Sequence, residues 1–290
     1  MDAAMAPITS TPSTAMWRQW NLSQVRWWVW LILIAAADVL LFVAIARDEL
    51  YTLIFGKVQQ GIVLTLFVTL VAYFLALAIG LIVGLGRVSK NGIIYNLATL
   101  YVQIIRGVPI LVQIFFVSFV ATPAFFELLK AIGAALSGVL GPDNFLAQTS
   151  TQDVSLLARA VVALTVAYGG YEAETFRAGI ESIGKGQMEA ARSLGMSYFQ
   201  AMRYVILPQA IRNVLPPLGN DFVSMLKDSS LVSVLGVRDI TQEARLYVAA
   251  SFRYPETYYM LAFMYLNMTI PLSMAVRWLE GRMGSGRRAA

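Results

Sequence analysis

Six stretches of about 20 mostly apolar residues dictate what this chain can fold into. They lie near 27–46, 61–86, 97–121, 156–176, 215–237 and 258–279. A hydrocarbon layer roughly 30 Å thick is crossed by about 20 helical residues, each rising about 1.5 Å. Inside it the backbone must satisfy its own hydrogen bonds, which favours helices. Charged residues make up 13% of the 290 and apolar residues 58%; soluble domains carry roughly 25% charge. The expected class is therefore an all-α, polytopic membrane protein with about six transmembrane helices. Cysteine and histidine are both absent, which removes thiol nucleophiles, zinc sites and imidazole acid/base chemistry. No catalytic and no metal-binding residue is expected.

The first run follows Arg18 and Arg26 and precedes Ala44-Ile45-Ala46, as a signal peptide would. Its length of about 20 exceeds the ~7–15 residues of a signal core, so an uncleaved helix is expected. With the N-terminus inside, thirteen Lys and Arg fall on the cytoplasmic side and seven outside. The bias places both termini in the cytoplasm. The expected division is a cytoplasmic tail at 1–26, an N-terminal helix at 27–56, a main domain at 57–281 and a basic tail at 282–290. Trp17, Trp20, Trp27, Trp28 and Trp30 suit an interfacial belt. In the second run Ala76, Gly80 and Gly84 share a face, which lets a neighbouring helix of the same bundle approach closely. The region 122–155, with Glu127 and Lys130 in an apolar stretch at 125–140, reads as an external, amphipathic or interfacial insertion.

The segment 177–208 is long and rich in helix formers, broken at Gly184, Gly186 and Gly195. Two short helices are expected, one over 189–194 and one over 196–205, with Gly195 in a left-handed turn between them and Pro208 ending the second. Such a knob suits docking into a partner's groove. Residues 179–185 match GxxxxGK, but Gly186 stands where a magnesium-binding Ser or Thr belongs and no strand precedes. The match carries no phosphate site.

Glu189-Ala190-Ala191, then Gly195, then Ile206-Leu207-Pro208 resembles the EAA loop of ABC importer permeases, with one residue missing from the strict Ile-x-Leu-Pro ending. The resemblance extends to Thr65-Leu66, Arg106-Gly107-Val108-Pro109, Tyr168 through Glu174, Phe176-Arg177-Ala178-Gly179, Pro208-Gln209-Ala210 and Lys227-Asp228-Ser229-Ser230, all typical of the polar amino-acid branch. It covers about three quarters of the chain and implies a type I importer transmembrane domain with an extra N-terminal helix. By that resemblance Glu189, Ala190, Ala191, Gly195, Ile206, Leu207 and Pro208 form the coupling element for a separate ATPase. The implied partners are two ATPase subunits holding ATP and magnesium, a second permease subunit (identical or paralogous) and a periplasmic amino-acid-binding protein. Membrane lipids complete the set, with no nucleic acid. The chain would bind no cofactor itself and would sit in a bacterial inner membrane.

Ionisable groups at membrane depth cost about 2.5–3.5 kcal/mol each on insertion scales and usually face a bundle interior. Arg106, Glu172, Asp221, Lys227 and Asp228 are the pathway candidates. Pairing with one another is the equal alternative for Lys227 and Asp228. Asp221 and Asp228 share a helical face, and Lys227 lies about 100° off it. Pro216-Pro217 should break the fifth span. Glu174, Arg177, Glu181 and Lys185 are spaced as a ladder of ion pairs. An ion-coupled secondary transporter or channel, or a structural subunit, is the competing reading; the first leaves the 189–208 loop unexplained, and uptake in a deletion strain discriminates the second.

Overall fold

A computed structural model of the chain describes residues 47–141 and 144–284, with scattered helical positions between 29 and 45. The chain divides into two compact units, Met1–Ile45 and Ala46–Ala290. Most of the expected first span, its tryptophan belt and residues 285–290 lie outside the described residues. Every regular element among the described residues is helical.

Helix α1 (Glu49–Val58) starts where Asp48 caps it, its carboxylate accepting from the Leu50 amide at 2.9 Å. A single 3-10 turn, Gln59–Gly61, carries it into α2 (Ile62–Arg87). Residues 49–56 thus belong to the larger unit, with Asp48 capping its first helix. Gly61 lies against the turn before a later helix. A Cβ on it would stand 2.3 Å from the Ile240 nitrogen and 2.4 Å from the Asp239 carbonyl carbon. Thr65 Oγ1, one turn on, accepts from the Ile240 amide at 3.1 Å. Gly61→Ala is expected to destabilise the chain by about 1–3 kcal/mol, since backbone atoms cannot rotate aside. Thermal unfolding in detergent reads this as a lowered midpoint.

Helix α3 (Gly92–Gly107), capped by Asn91, ends at an extended Val108. Pro109 follows and α4 (Ile110–Ala135) begins. The third apolar run is thus two helices, and the expected interfacial stretch at 125–140 mostly continues a membrane-length helix. Proline lacks an amide hydrogen and disfavours helix in the residue before it. Gln113 Nε2 donates at 2.7 Å to the carbonyls of both Ile105 and Val108, occupying acceptors that the break leaves free.

Helix α5 (Leu156–Glu181), capped by Ser155, packs along α2. Ala76 is buried, and a Cβ on Gly80 would lie 2.4 Å from Glu172 Cβ. One on Gly84 would lie 2.9 Å from the Ala173 oxygen. The small-residue face therefore serves packing within the bundle, as expected. Val68, Ala72 and Tyr73 meet Ala160, Leu164 and Tyr168 there, joined by Ile114 and Met225.

Beyond α5 come α6 (Lys185–Ser193), α7 (Tyr198–Ala201), a π turn at Met202–Ile206 and α8 (Leu207–Asp228). Pro208 sits in the first turn of α8 and does not end the preceding helix. The other π turn, Val117–Ala121 within α4, precedes Pro123 in the same way. A proline ring clashes with the carbonyl four residues back, and a widened π turn moves that carbonyl out of line. Pro216 and Pro217 also lie inside α8 without breaking it, contrary to the sequence expectation. Packing holds this stretch: Val214 fits against Gly179, and Val276 against Gly219. Asn220 Nδ2 donates to the Pro216 carbonyl at 3.2 Å.

Helix α8 ends at Asp228, earlier than the apolar run suggests, and a 3-10 segment, Ser229–Leu235, reaches a left-handed Gly236. Asp239 caps α9 (Ile240–Ser251), and burial raises its carboxyl to about 6. Helix α10 (Tyr254–Gly284) completes the unit.

Candidate functional site

The segment between α5 and α8 forms the expected knob. Helix α6 closes on Gly195, at φ +84°. The Met196 amide donates to the Ala191 carbonyl at 3.2 Å and the Gly195 amide to Arg192 at 3.0 Å. That pairing of bonds defines a Schellman turn, which needs a left-handed residue where Gly195 stands. Ser197 then caps α7 reciprocally with Gln200, in bonds of 3.2 and 2.8 Å.

The turn splits the motif residues into two sets. Glu189, Ala190, Gly195 and Pro208 are exposed, and Leu207 stands at the edge of exposure. Ala191 and Ile206 are buried, together with Ala201. Ala191 therefore packs the knob onto its own base and is not on the free face. The free face carries apolar side chains that the motif does not include: Leu194 is 81% exposed and Phe199 71%, with Tyr198 beside them. Sequence reasoning missed these three. Their signal was apolar residues bordering a glycine turn in an otherwise polar loop.

At the root of the knob a cleft of about 1100 Å³ runs between the end of α5, α8 and α10. Gly186 and Gln187 of α6 line it, as do Thr175, Arg212, Pro216 and Glu280. Thr175 Oγ1 in turn donates to Asp221 at 3.3 Å. One turn pair along the same seam, Tyr168 donates to Asp228 at 2.7 Å. The two aspartates thus share the face of α8 turned to α5. Tyr73 of α2 closes the seam by donating to the Leu218 carbonyl at 2.5 Å.

The other pathway candidates separate. Lys227 is exposed, off that face, and makes no ion pair among the described residues. Glu172 has 0% exposure behind Gly80, and neither carboxyl oxygen has a hydrogen-bond partner. It lines no open surface in this arrangement. Arg106 is 45% exposed, 3.8 Å from Glu174 and stacked 5.7 Å from the centre of the Tyr171 ring.

Glu174 is the hub that sequence spacing understated. It takes Arg87 from the end of α2 and Arg177 from its own helix, while Arg177 also bridges Glu181. The ladder stops there. Among the described residues Lys185 has no ion pair, because α5 ends at Glu181 and a spacing of four aligns side chains only within one helix. Glu174→Ala leaves three arginines without their shared carboxylate and is expected to cost about 1–3 kcal/mol. The expected readout is a lowered unfolding midpoint, with Glu174→Asp falling between the two.

Residues 76–285 match the family described as binding-protein-dependent transport system inner membrane component. The glutamine transport system permease protein GlnP of Escherichia coli is 36% identical over 224 residues, covering 77% of this chain and 91% of that one. The probable amino-acid permease protein YxeN of Bacillus subtilis is 34% identical over 234 residues, with coverage of 81% and 94%. Among solved structures, an amino acid ABC transporter crystallised with histidines superposes at TM-score 0.66 and 35% identity, over 81% of this chain and 98% of that one. The MetNI methionine ABC transporter, inward facing, shares the fold at TM-score 0.58 and 19% identity, over 81% and 99%. With the family match spanning most of the larger unit, this chain belongs to the binding-protein-dependent transport system inner membrane components and is the multi-pass, all-helical permease subunit of an ABC importer.

Proposed function

We propose that this permease carries polar or charged amino acids and is driven through the knob at residues 184–201 by a separate ATPase that holds ATP and magnesium. The observation that carries the reading is the knob itself: a Schellman turn and a capping box hold an exposed apolar tip, with Ala191 anchored behind it. A rigid element with an uncovered apolar face suits a partner's groove. Glu189, exposed beside that face, suits a basic group on the ATPase. Two ATPases beneath two permease chains and an external binding protein complete the assembly. Both termini then lie in the cytoplasm, as the Lys and Arg distribution favours.

Coupling is a difference in free energy between two bundle states. The cleft at the root of the knob provides the mechanical link, because Gln187 and Thr175 line the same space and Thr175 holds Asp221. Movement of the knob shifts the end of α5 against α8, where Asp221 and Asp228 lie. Arg106 supplies a positive group near that seam. A seam with both signs suits a zwitterionic solute. Amino-acid cargo is supported by the names of the relatives, glutamine among them.

The test is purification in mild detergent followed by reconstitution with an external binding protein and radiolabelled glutamine, glutamate, histidine and arginine. The expected result is an ATPase at equal stoichiometry and uptake that stops when ATP is withheld. Uptake of these solutes driven by an ion gradient alone would overturn the reading.

A further inference from the structure

A second cleft, of about 840 Å³, lies on the opposite side of α5, against α3 and α4. Its walls are almost wholly apolar: Ile105, Val112, Phe116, Phe126 and Val162 among them. The two polar side chains within it turn away from the space. Gln113 donates to Ile105 and Val108, and Thr122 Oγ1 to the Val117 carbonyl at 2.7 Å. One charge stands in the lining, Arg159, in the first turns of α5. Its guanidinium reaches three backbone carbonyls, Val154 at 3.1 Å, Ser118 at 3.2 Å and Thr151 at 2.5 Å. No carboxylate among the described residues pairs with it. Three carbonyl dipoles orient the group and leave its full positive charge and two of its five N–H donors.

We infer that this cleft is a phospholipid site, with one acyl chain along the apolar wall and the lipid phosphate at Arg159. Charge complementarity selects this occupant. An apolar groove at membrane depth excludes a polar solute, and a guanidinium with no carboxylate partner at one end calls for an anion; its planar fork matches phosphate, the anion that membrane lipids supply. The dimensions agree. Arg159 lies three residues into α5, about 5 Å from its start, and Val166, the deepest residue on that wall, lies about 15 Å in. From Arg159 to Val166 the groove therefore runs about 10 Å along α5, within the half-thickness of a hydrocarbon layer roughly 30 Å thick. The π turn of α4 at Val117–Ala121 contributes both the Ser118 carbonyl that orients Arg159 and two residues of the wall, Val117 and Ala121. Its role here is to set the charge and the groove in one line.

The test uses the full-length chain purified from membranes in mild detergent. It is labelled with phosphatidylglycerol carrying a diazirine in one acyl chain, and in parallel with the matching diacylglycerol, which lacks the phosphate. The expected result is label in peptides covering 112–126 and 159–166, with phosphatidylglycerol exceeding diacylglycerol by about fivefold, roughly 1 kcal/mol. Unlabelled phosphatidylglycerol should displace it. Val162→Trp fills the groove from a half-exposed position and leaves Arg159 intact; it should abolish labelling there while the elution profile is unchanged. Displacement in the wild-type chain gives the same answer without any variant. Equal labelling by the two lipids, label spread evenly over the lipid-facing helices, or a second copy of the chain crosslinked into 112–126 in place of lipid would overturn the site.

Discussion

Gly195→Val is expected to reach the membrane at wild-type level and to lose at least about tenfold in uptake, while its ATPase partner still hydrolyses ATP. No atom lies within 4 Å of a Cβ at this position, so the effect is confined to the backbone. At φ +84° a β-branched residue is a conformational outlier, and the left-handed region costs an ordinary side chain about 1–2 kcal/mol. The chain escapes the strain by unwinding the turn, which breaks the bonds from Met196 to Ala191 and from Gly195 to Arg192. Leu194 and Phe199 then no longer share a face. The loss of about 1.4 kcal/mol in docking corresponds to tenfold. Uptake and ATP hydrolysis measured together on proteoliposomes check this. Gly92→Val is the control, since that glycine is also in open space but lies outside the knob and has no positive φ; it should transport normally. Normal coupling in Gly195→Val would remove the docking role from the knob.

Gly80→Leu is expected to prevent stable folding. Even the Cβ would stand 2.4 Å from Glu172 Cβ and 3.0 Å from the Glu172 carbonyl carbon. The nearest atoms are therefore the base of a side chain and the backbone, neither of which can swing clear. Helices α2 and α5 must part, and the contacts of Tyr73, Ala76, Leu164 and Tyr168 part with them. Overpacking of this kind costs about 1–3 kcal/mol for small insertions and more for a whole leucine. Separation would also bring lipid or water to Glu172, whose carboxyl has no partner in the packed state. Expression level and the detergent unfolding midpoint provide the readout. Gly92→Leu, with nothing within 4 Å of its Cβ, should leave both unchanged.

These two glycines show how differently the sequence encodes the fold and the site. Gly195 was legible because a helix-forming run stops at it, and a stop signal is local. The face of Ala76, Gly80 and Gly84 was legible because a period of nearly four is a property of one helix. The prolines misled for the same reason in reverse. Taken locally, Pro208 ends a helix and Pro216-Pro217 breaks one, yet α8 runs from Leu207 to Asp228. A π turn and neighbouring side chains absorb what proline removes, and neither is written at the proline. The loop motif was visible as seven residues, but which of them point outward was not. Ala190 and Ala191 are adjacent and alike in sequence; one is exposed and the other buried.

The sequence by itself determined that the chain crosses a membrane as helices, which helix carries a close-packing stripe, and where the knob between α5 and α8 turns. Those features follow from apolar length, from helical period and from the one conformation that glycine alone adopts freely, each set within a few neighbouring residues. Only the tertiary structure decided that Glu174 gathers Arg87, Arg106 and Arg177, that Asp221 and Asp228 meet α5, that Glu172 is sealed behind Gly80, and that Arg159 faces an apolar groove. Each of these joins residues from separate helices or sets one against a neighbouring helix. Their meeting depends on how helices cross and how close their backbones come, a sum over many contacts that no single stretch of sequence contains.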